Sequence, residues 1–127
     1  MIYGIGTDIL NIARIEKLHQ KYGLALPRRI LHASEWADFE CSQKPVHFLA
    51  KRFAAKEAFA KAVGTGIVAP VSLGNIAIRK NELGKPEFVC SPVLQTWLNE
   101  RGIVAVHLSL SDESEQVLAF AVAEKSD

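Results

Sequence analysis

The sequence predicts an α+β fold: an antiparallel sheet packed against one long alanine-rich helix. Strand-like and helix-like segments are mixed, without the strict alternation that builds a parallel α/β sheet. The stretch Arg52–Gly66, RFAAKEAFAKAVGTG, has the small apolar residues of a helix lying against a core. Two late strand-like runs, 104–110 and 116–123, are joined by the polar tract Ser111-Asp-Glu-Ser-Glu, the pattern of a hairpin.

Taken in order, residues 2–9, IYGIGTDI, alternate as a strand with Tyr3, Ile5, Thr7 and Ile9 on one face and Ile2, Gly4, Gly6 and Asp8 on the other. The period then changes to helical, with Ile12, Ile15, His19 and Tyr22 in one stripe, Asn11 as N-cap and Gly23 as stop. A second helix is expected from Ser34. The long helix starts at Pro45, where proline fits the first turn, and runs to about Val63 with Gly64 just beyond. Strands follow at 75–80 and 86–90 around a turn at 81–84. A last helix has Ser91 as cap, Pro92 at its first position and Gly102 after its final turn.

At 127 residues the chain has room for one core, so residues 1–127 are expected to form a single domain. With 49% hydrophobic and 23% charged residues and a net charge of +1, a disordered or fibrous chain is excluded. The charge is unevenly spread: residues 1–63 carry 10 Lys/Arg against 6 Asp/Glu, and residues 64–127 carry 5 against 8. The basic half suits an acidic partner. Cys41 and Cys90 stand alone, so reduced thiols and a cytoplasmic location are expected. The longest apolar run, 117–123, is far short of the roughly 18 residues of a membrane span.

On the long helix Leu49, Phe53, Ala60 and Val63 form an apolar stripe, Glu57 and Lys61 lie about 40° apart, and Arg52 projects elsewhere. An exposed Glu/Lys pair four residues apart is ordinarily a surface ion pair. Here the neighbours are alanines, so backbone or ligand atoms can come close. Gly64-Thr65-Gly66 at the helix end can turn its N–H groups toward an anion. Asp8 reads as a helix cap or as a ligand group, and the glycines before it leave space for a bulky ligand or a closely approaching helix. A dinucleotide fingerprint is excluded, because Ile9 stands where the third glycine is required. If the strand packs beside the helix, Asp8 and Glu57 offer two carboxylates to Mg²⁺ with Lys61 adjacent, the arrangement of metal-assisted phosphoryl transfer.

Together, GIGTDILNIARIE and RFAAKEAFAKAVGTGI resemble the holo-[acyl-carrier-protein] synthases, the short bacterial branch of the 4′-phosphopantetheinyl transferases. Phe53, Lys56, Glu57 and Lys61 match the aromatic-x-x-Lys-Glu-x-x-x-Lys pattern of that superfamily, and the downstream Gly84-Lys85-Pro86 and closing strand pair extend the likeness over nearly the whole chain. The resemblance implies transfer of 4′-phosphopantetheine from coenzyme A to a serine of an acyl carrier protein, releasing adenosine 3′,5′-bisphosphate, in support of fatty acid biosynthesis. It implies that Asp8 and Glu57 hold Mg²⁺ against the pyrophosphate and that Lys61 contacts the phosphate. It gives the 3′-phosphate to Arg52 and Lys44, and the length of the nucleotide to Gly64, Thr65 and Gly66. The proton acceptor is either Glu57 or a water on the metal. The resemblance further implies a homotrimer with its sites between subunits. Where relatives often carry Ser-x-Ser-His, this chain reads Ser109-Leu110-Ser111-Asp112, which removes an expected histidine contact; His107 reads as structural.

On the first helix Arg14, Lys17 and Lys21 fall within about 60° of one another beside Leu18, and Arg28 and Arg29 extend the patch. A charge run of this kind is commonly a solvated face. Acidic carrier proteins fit it as well, and the resemblance assigns carrier docking to Arg14, Leu18, Lys21 and Arg28. Nucleic acid is not expected, since no aromatics interleave with the basic residues. The competing reading is a module that binds coenzyme A or a carrier without chemistry; only catalysis needs Asp8, Glu57 and Lys61 together.

Overall fold

The computed structural model describes all 127 residues. In chain order its elements are β1 (Ile2–Asn11), α1 (Ile12–Tyr22), α2 (Ala25–Ile30), α3 (Trp36–Cys41), α4 (Pro45–Ala62), β2 (Ile76–Lys80), β3 (Pro86–Cys90), α5 (Pro92–Glu100), β4 (Ile103–Asp112) and β5 (Gln116–Lys125). The strands are antiparallel throughout, in two sheets: β1-β5-β4 and the β2-β3 hairpin. The α+β expectation holds, with the sheet divided.

The helix signals act where the sequence puts them. Pro45 and Pro92 open α4 and α5, where a missing N–H costs nothing, and Ser91 accepts a bond from the N–H of Leu94. Two expectations need correction, and residues 25–30, to which the sequence assigns no element, form one. The segment 25–30 is a short helix, tolerated because Pro27 falls in its first turn and buries its ring. The helix expected from Ser34 begins at Trp36, after a 3₁₀ turn at Ala33–Glu35 that His32 and Glu35 cap reciprocally. Tyr22 leaves the α1 stripe and is exposed, while Ile12 and Ile15 are buried.

The alternation of β1 decides the core. Gly4, Gly6, Asp8 and Leu10 turn inward beside Ala123, Ala121, Ala119 and Val117 of β5. This inner face is nearly flat, and α4 lies against it. A Cβ at Gly4 would collide with the carbonyl of Ala62, and one at Gly6 with the carbonyl of Ala58 and the N–H of Ala62. The space opened by the glycines is therefore taken by the helix.

A single apolar stripe does not describe α4. Leu49, Ala50, Ala54, Ala55, Ala58, Phe59, Ala60 and Ala62 are all buried, because the helix has the main sheet on one side and α1, α2 and α3 on others. Phe59 also meets Phe88 of β3 edge-to-face at 4.9 Å. A helix enclosed this way needs small residues all round, which explains its alanines. With these residues it belongs to a core cluster of 26 buried hydrophobic residues. No helix is long and apolar enough to cross a membrane.

Gly6→Ala is expected to lower stability by about 1–3 kcal/mol, because β1 must move off α4. Urea unfolding measures it; an unchanged midpoint would show that the contact yields freely.

Candidate functional site

The close seating of β1 on α4 brings together groups far apart in sequence. The Lys61 ammonium donates to the carbonyl oxygen of Thr7 at 2.8 Å and lies 3.4 Å from Asp8 Oδ1. Asp8 is half-buried, and burial raises its carboxyl above the usual range, with Lys61 and Arg14 opposing. Glu57 is raised too, first by burial and then by the negative charge of Asp8, with Lys61 and Arg14 again opposing. Asp8, Glu57, Lys61 and Arg14 thus share one electrostatic neighbourhood. Asp8 is no helix cap: Asn11 occupies that position and makes no side-chain cap bond.

Two mutually repelling, partly desolvated carboxylates form a place where a cation is favoured. The protein has no group of three or more His, Cys, Asp or Glu side chains suited to a metal. The Asp8–Glu57 pair nevertheless fits Mg²⁺, which binds through one or two carboxylates and fills its octahedron with water and substrate oxygens.

Lys56, next to Glu57 in sequence, has a different task. Fully buried, its ammonium donates to the carbonyl oxygens of Ile30 (2.6 Å) and Leu73 (3.0 Å) and to Glu35 Oε1 (2.7 Å). Glu35, also buried, accepts from the N–H groups of His32 (2.9 Å) and Ile78 (3.3 Å). Arg52 completes the cluster: its Nη1 donates to the Ile78 carbonyl at 2.6 Å and sits 3.3 Å from Glu35 Oε2, while the guanidinium stacks over Phe48. No buried side-chain polar atom is left without a partner. Arg52 is thus mostly buried and tied down on one edge, whereas the sequence presents it as a projecting arginine.

Arg52 still lines a cleft of about 300 Å³ with Lys44, Lys51, Lys80 and Asp112. The structure brings Lys44 and Arg52 together in this way. The Gly64-Thr65-Gly66 segment behaves otherwise than expected. Its N–H groups are spent on the end of α4, with Gly64 donating to Lys61 O (3.0 Å), and Thr65 and Gly66 to Ala60 O (3.2 and 3.1 Å). Gly64 and Gly66 have φ of +88° and +67°, as a helix-ending turn demands. These amides are a C-cap, unavailable to an anion.

On α1, Arg14, Lys17 and Lys21 are exposed, and Arg14, Lys17 and Leu18 border a shallow groove with Asn11 and Ala13. Leu18 is half-buried against the core, so it contributes less apolar surface than its helical position suggests. Arg28 and Arg29 are exposed at the end of α2. His107 pairs with Glu124 at 2.9 Å on the outer face of the sheet.

Residues 4–121 match the model of the 4′-phosphopantetheinyl transferase superfamily. The chain belongs to that superfamily. It is 60% identical over 125 residues, 98% of this chain and 100% of the relative, to a holo-[acyl-carrier-protein] synthase of Neisseria meningitidis. A crystal structure of that enzyme from the same species superposes with a TM-score of 0.97 at 59% identity, covering 98% of this chain and 100% of the other. A Bacillus anthracis holo-(acyl-carrier-protein) synthase in complex with CoA (3′,5′-ADP) superposes at 0.81 with 39% identity, covering 99% of both chains.

Within the superfamily pattern Lys56 and Glu57 are adjacent letters, yet one is a buried strut and the other lies within electrostatic reach of Asp8. Lys56 lies about 20° from Leu49 on the helical wheel, inside the apolar stripe. A charge there requires a buried counter-charge, and that signal was present in the sequence. Which acid supplies it was not, because Glu35 is 21 residues away in a 3₁₀ turn.

Lys56→Ala removes the shortest ion pair of buried Glu35, which keeps Arg52 and two N–H donors, and takes a donor from two carbonyls; it is expected to cost about 3–5 kcal/mol in urea unfolding. Glu57→Gln acts in the opposite sense. The folded protein holds the Glu57 proton above its ordinary 4.5, so ionisation weakens the fold as pH rises through the raised value. Without divalent cation the variant should melt about 1–4 °C above the unaltered protein at neutral pH, the gap closing below about pH 4. A gap that instead widens in acid would overturn the assignment.

Proposed function

We propose that the chain transfers 4′-phosphopantetheine from coenzyme A to a serine of an apo acyl carrier protein, yielding holo carrier and adenosine 3′,5′-bisphosphate. The observation that carries this reading is the meeting of Asp8 and Glu57, with Lys61 adjacent, at the seam between β1 and α4. The names of the relatives and the coenzyme A complex support the substrates.

Asp8 and Glu57 would hold Mg²⁺, which when bound neutralises charge at the pyrophosphate and polarises it toward attack. Lys61 presents an exposed ammonium beside the pair, where it can stabilise charge developing on the leaving phosphate. Lys44 and Arg52 would receive the 3′-phosphate. Arg52 suits a fixed anion contact because Glu35 and Ile78 immobilise its guanidinium beforehand. Gly64, Thr65 and Gly66 can border the nucleotide only as a low wall, their amides being committed.

Arg14 links the reactive seam to the docking face. It is exposed on α1 and close enough to temper both carboxyls, so a carrier held by Arg14, Leu18, Lys21 and Arg28 brings its serine near Glu57. Acidic carriers suit that surface.

We further read the chain as a single domain that assembles as a homotrimer in the cytoplasm. Support comes from the outer face of β1-β5-β4, where Ile5 and Ile9 are 60% and 65% exposed beside Leu118 and Phe120. Isolated monomers rarely leave such a face bare. Arg52 and Glu57 open to different sides of α4, so neighbouring subunits would complete each other's sites.

Incubation with apo carrier, coenzyme A and Mg²⁺ should add the mass of one phosphopantetheine to the carrier. Glu57→Ala or chelator should abolish the gain, and Arg14→Ala should raise the carrier KM about tenfold with little change for coenzyme A. No mass gain with any apo carrier would favour the binding-module reading, and an unchanged carrier KM would remove α1 from docking.

A further inference from the structure

The cleft containing Lys44 and Arg52 also holds an ion pair that the proposed chemistry leaves unused. Lys51 of α4 and Asp112 at the end of β4 face each other with Nζ and Oδ2 3.4 Å apart. Both side chains are more than a third exposed, at 39% and 37%. Register explains the meeting: Asp112 sits opposite Val117, in the inward-facing row, and so reaches toward α4. The other ionised groups lining the cleft are cations, Lys44, Arg52 and Lys80, with His47 and Ser42 between them. Asp112 is the one acidic residue of the lining, and Asp38 Oδ2 lies 4.0 Å from Arg52 Nη2 nearby.

The charges do not balance, and the ion pair is weak. Arg52 is held by Glu35 and Ile78, whereas Lys51 has one exposed carboxylate contact, an arrangement that contributes little and exchanges readily. A phosphate monoester brings about two negative charges and three acceptor oxygens, so it competes well with one carboxylate for an ammonium.

We propose that Lys51 is a further anchor for the phosphate that this cleft accepts, and that Asp112 is the exchangeable counter-ion which phosphate displaces. The inference rests on reading the cleft as the seat of the 3′-phosphate of coenzyme A. It makes Lys51 and Asp112 a pair of specificity-determining residues with opposite signs. Lys51 favours nucleotides carrying the extra phosphate, and Asp112 opposes them by repulsion. A nucleotide without that phosphate puts no charge in the cleft and is indifferent to both.

The test is calorimetric titration of the purified full-length protein with adenosine 3′,5′-bisphosphate and with adenosine 5′-monophosphate, in Mg²⁺. Lys51→Met should weaken the bisphosphate about two- to fivefold, and Asp112→Asn should tighten it by a similar factor, with the monophosphate unmoved by either. A pair with only a structural role would shift both variants in the same direction, and that result overturns the proposal. Lys44→Ala separates the two levels. If it lowers the preference for the bisphosphate while Lys51→Met does not, the Lys51 assignment alone fails. If neither substitution changes the preference, the reading of the cleft fails with it.

Discussion

The fold turns on how close β1 can come to α4. Gly4 and Gly6 lie against the carbonyls of Ala62 and Ala58, and no other residue type leaves room for that contact. The distance matters for chemistry as well as packing. With the strand against the helix backbone, Asp8 is lowered into the electrostatic reach of Glu57, and Lys61 can donate to the Thr7 carbonyl. The alanines of α4 serve the same end, since a larger side chain on that face would lift the strand and separate the carboxyls.

A second constraint holds the rest of the chain to α4. The ammonium of Lys56 gathers the end of α2, the 3₁₀ turn of Glu35 and the loop at Leu73, while Arg52 adds β2 through Ile78. These segments are short and loop-rich, and each also buries apolar residues, among them Ile30, Leu73, Ile76 and Ile78. A buried charge with three acceptors specifies where they dock, because any misplacement leaves an ionised group desolvated without partners. The cluster also fixes one edge of Arg52, coupling the scaffold to the basic cleft.

The long helix therefore separates tasks around its circumference. One side meets β1 and sets Glu57 within electrostatic reach of Asp8, another carries Lys56 of the buried cluster, and a third opens on the basic cleft. The outer face of β1-β5-β4 remains apolar and uncovered.

The sequence by itself determined most of the elements, the charged residues and the family resemblance. Alternation in 2–9, prolines at 45 and 92 and glycines at 23, 64 and 102 act through local backbone physics, so their consequences are readable without a fold. It left Asp8 open between cap and ligand, the glycines open between helix and ligand, and the amides of Gly64-Thr65-Gly66 apparently free. Only the tertiary structure decided these, because each depends on which distant group arrives first: α4 fills the glycine space, Ala60 and Lys61 take the amides, and Glu35 claims Lys56. Hydrogen-bond satisfaction and exclusion of volume are properties of the packed chain, and no periodicity within one segment encodes its partner in another.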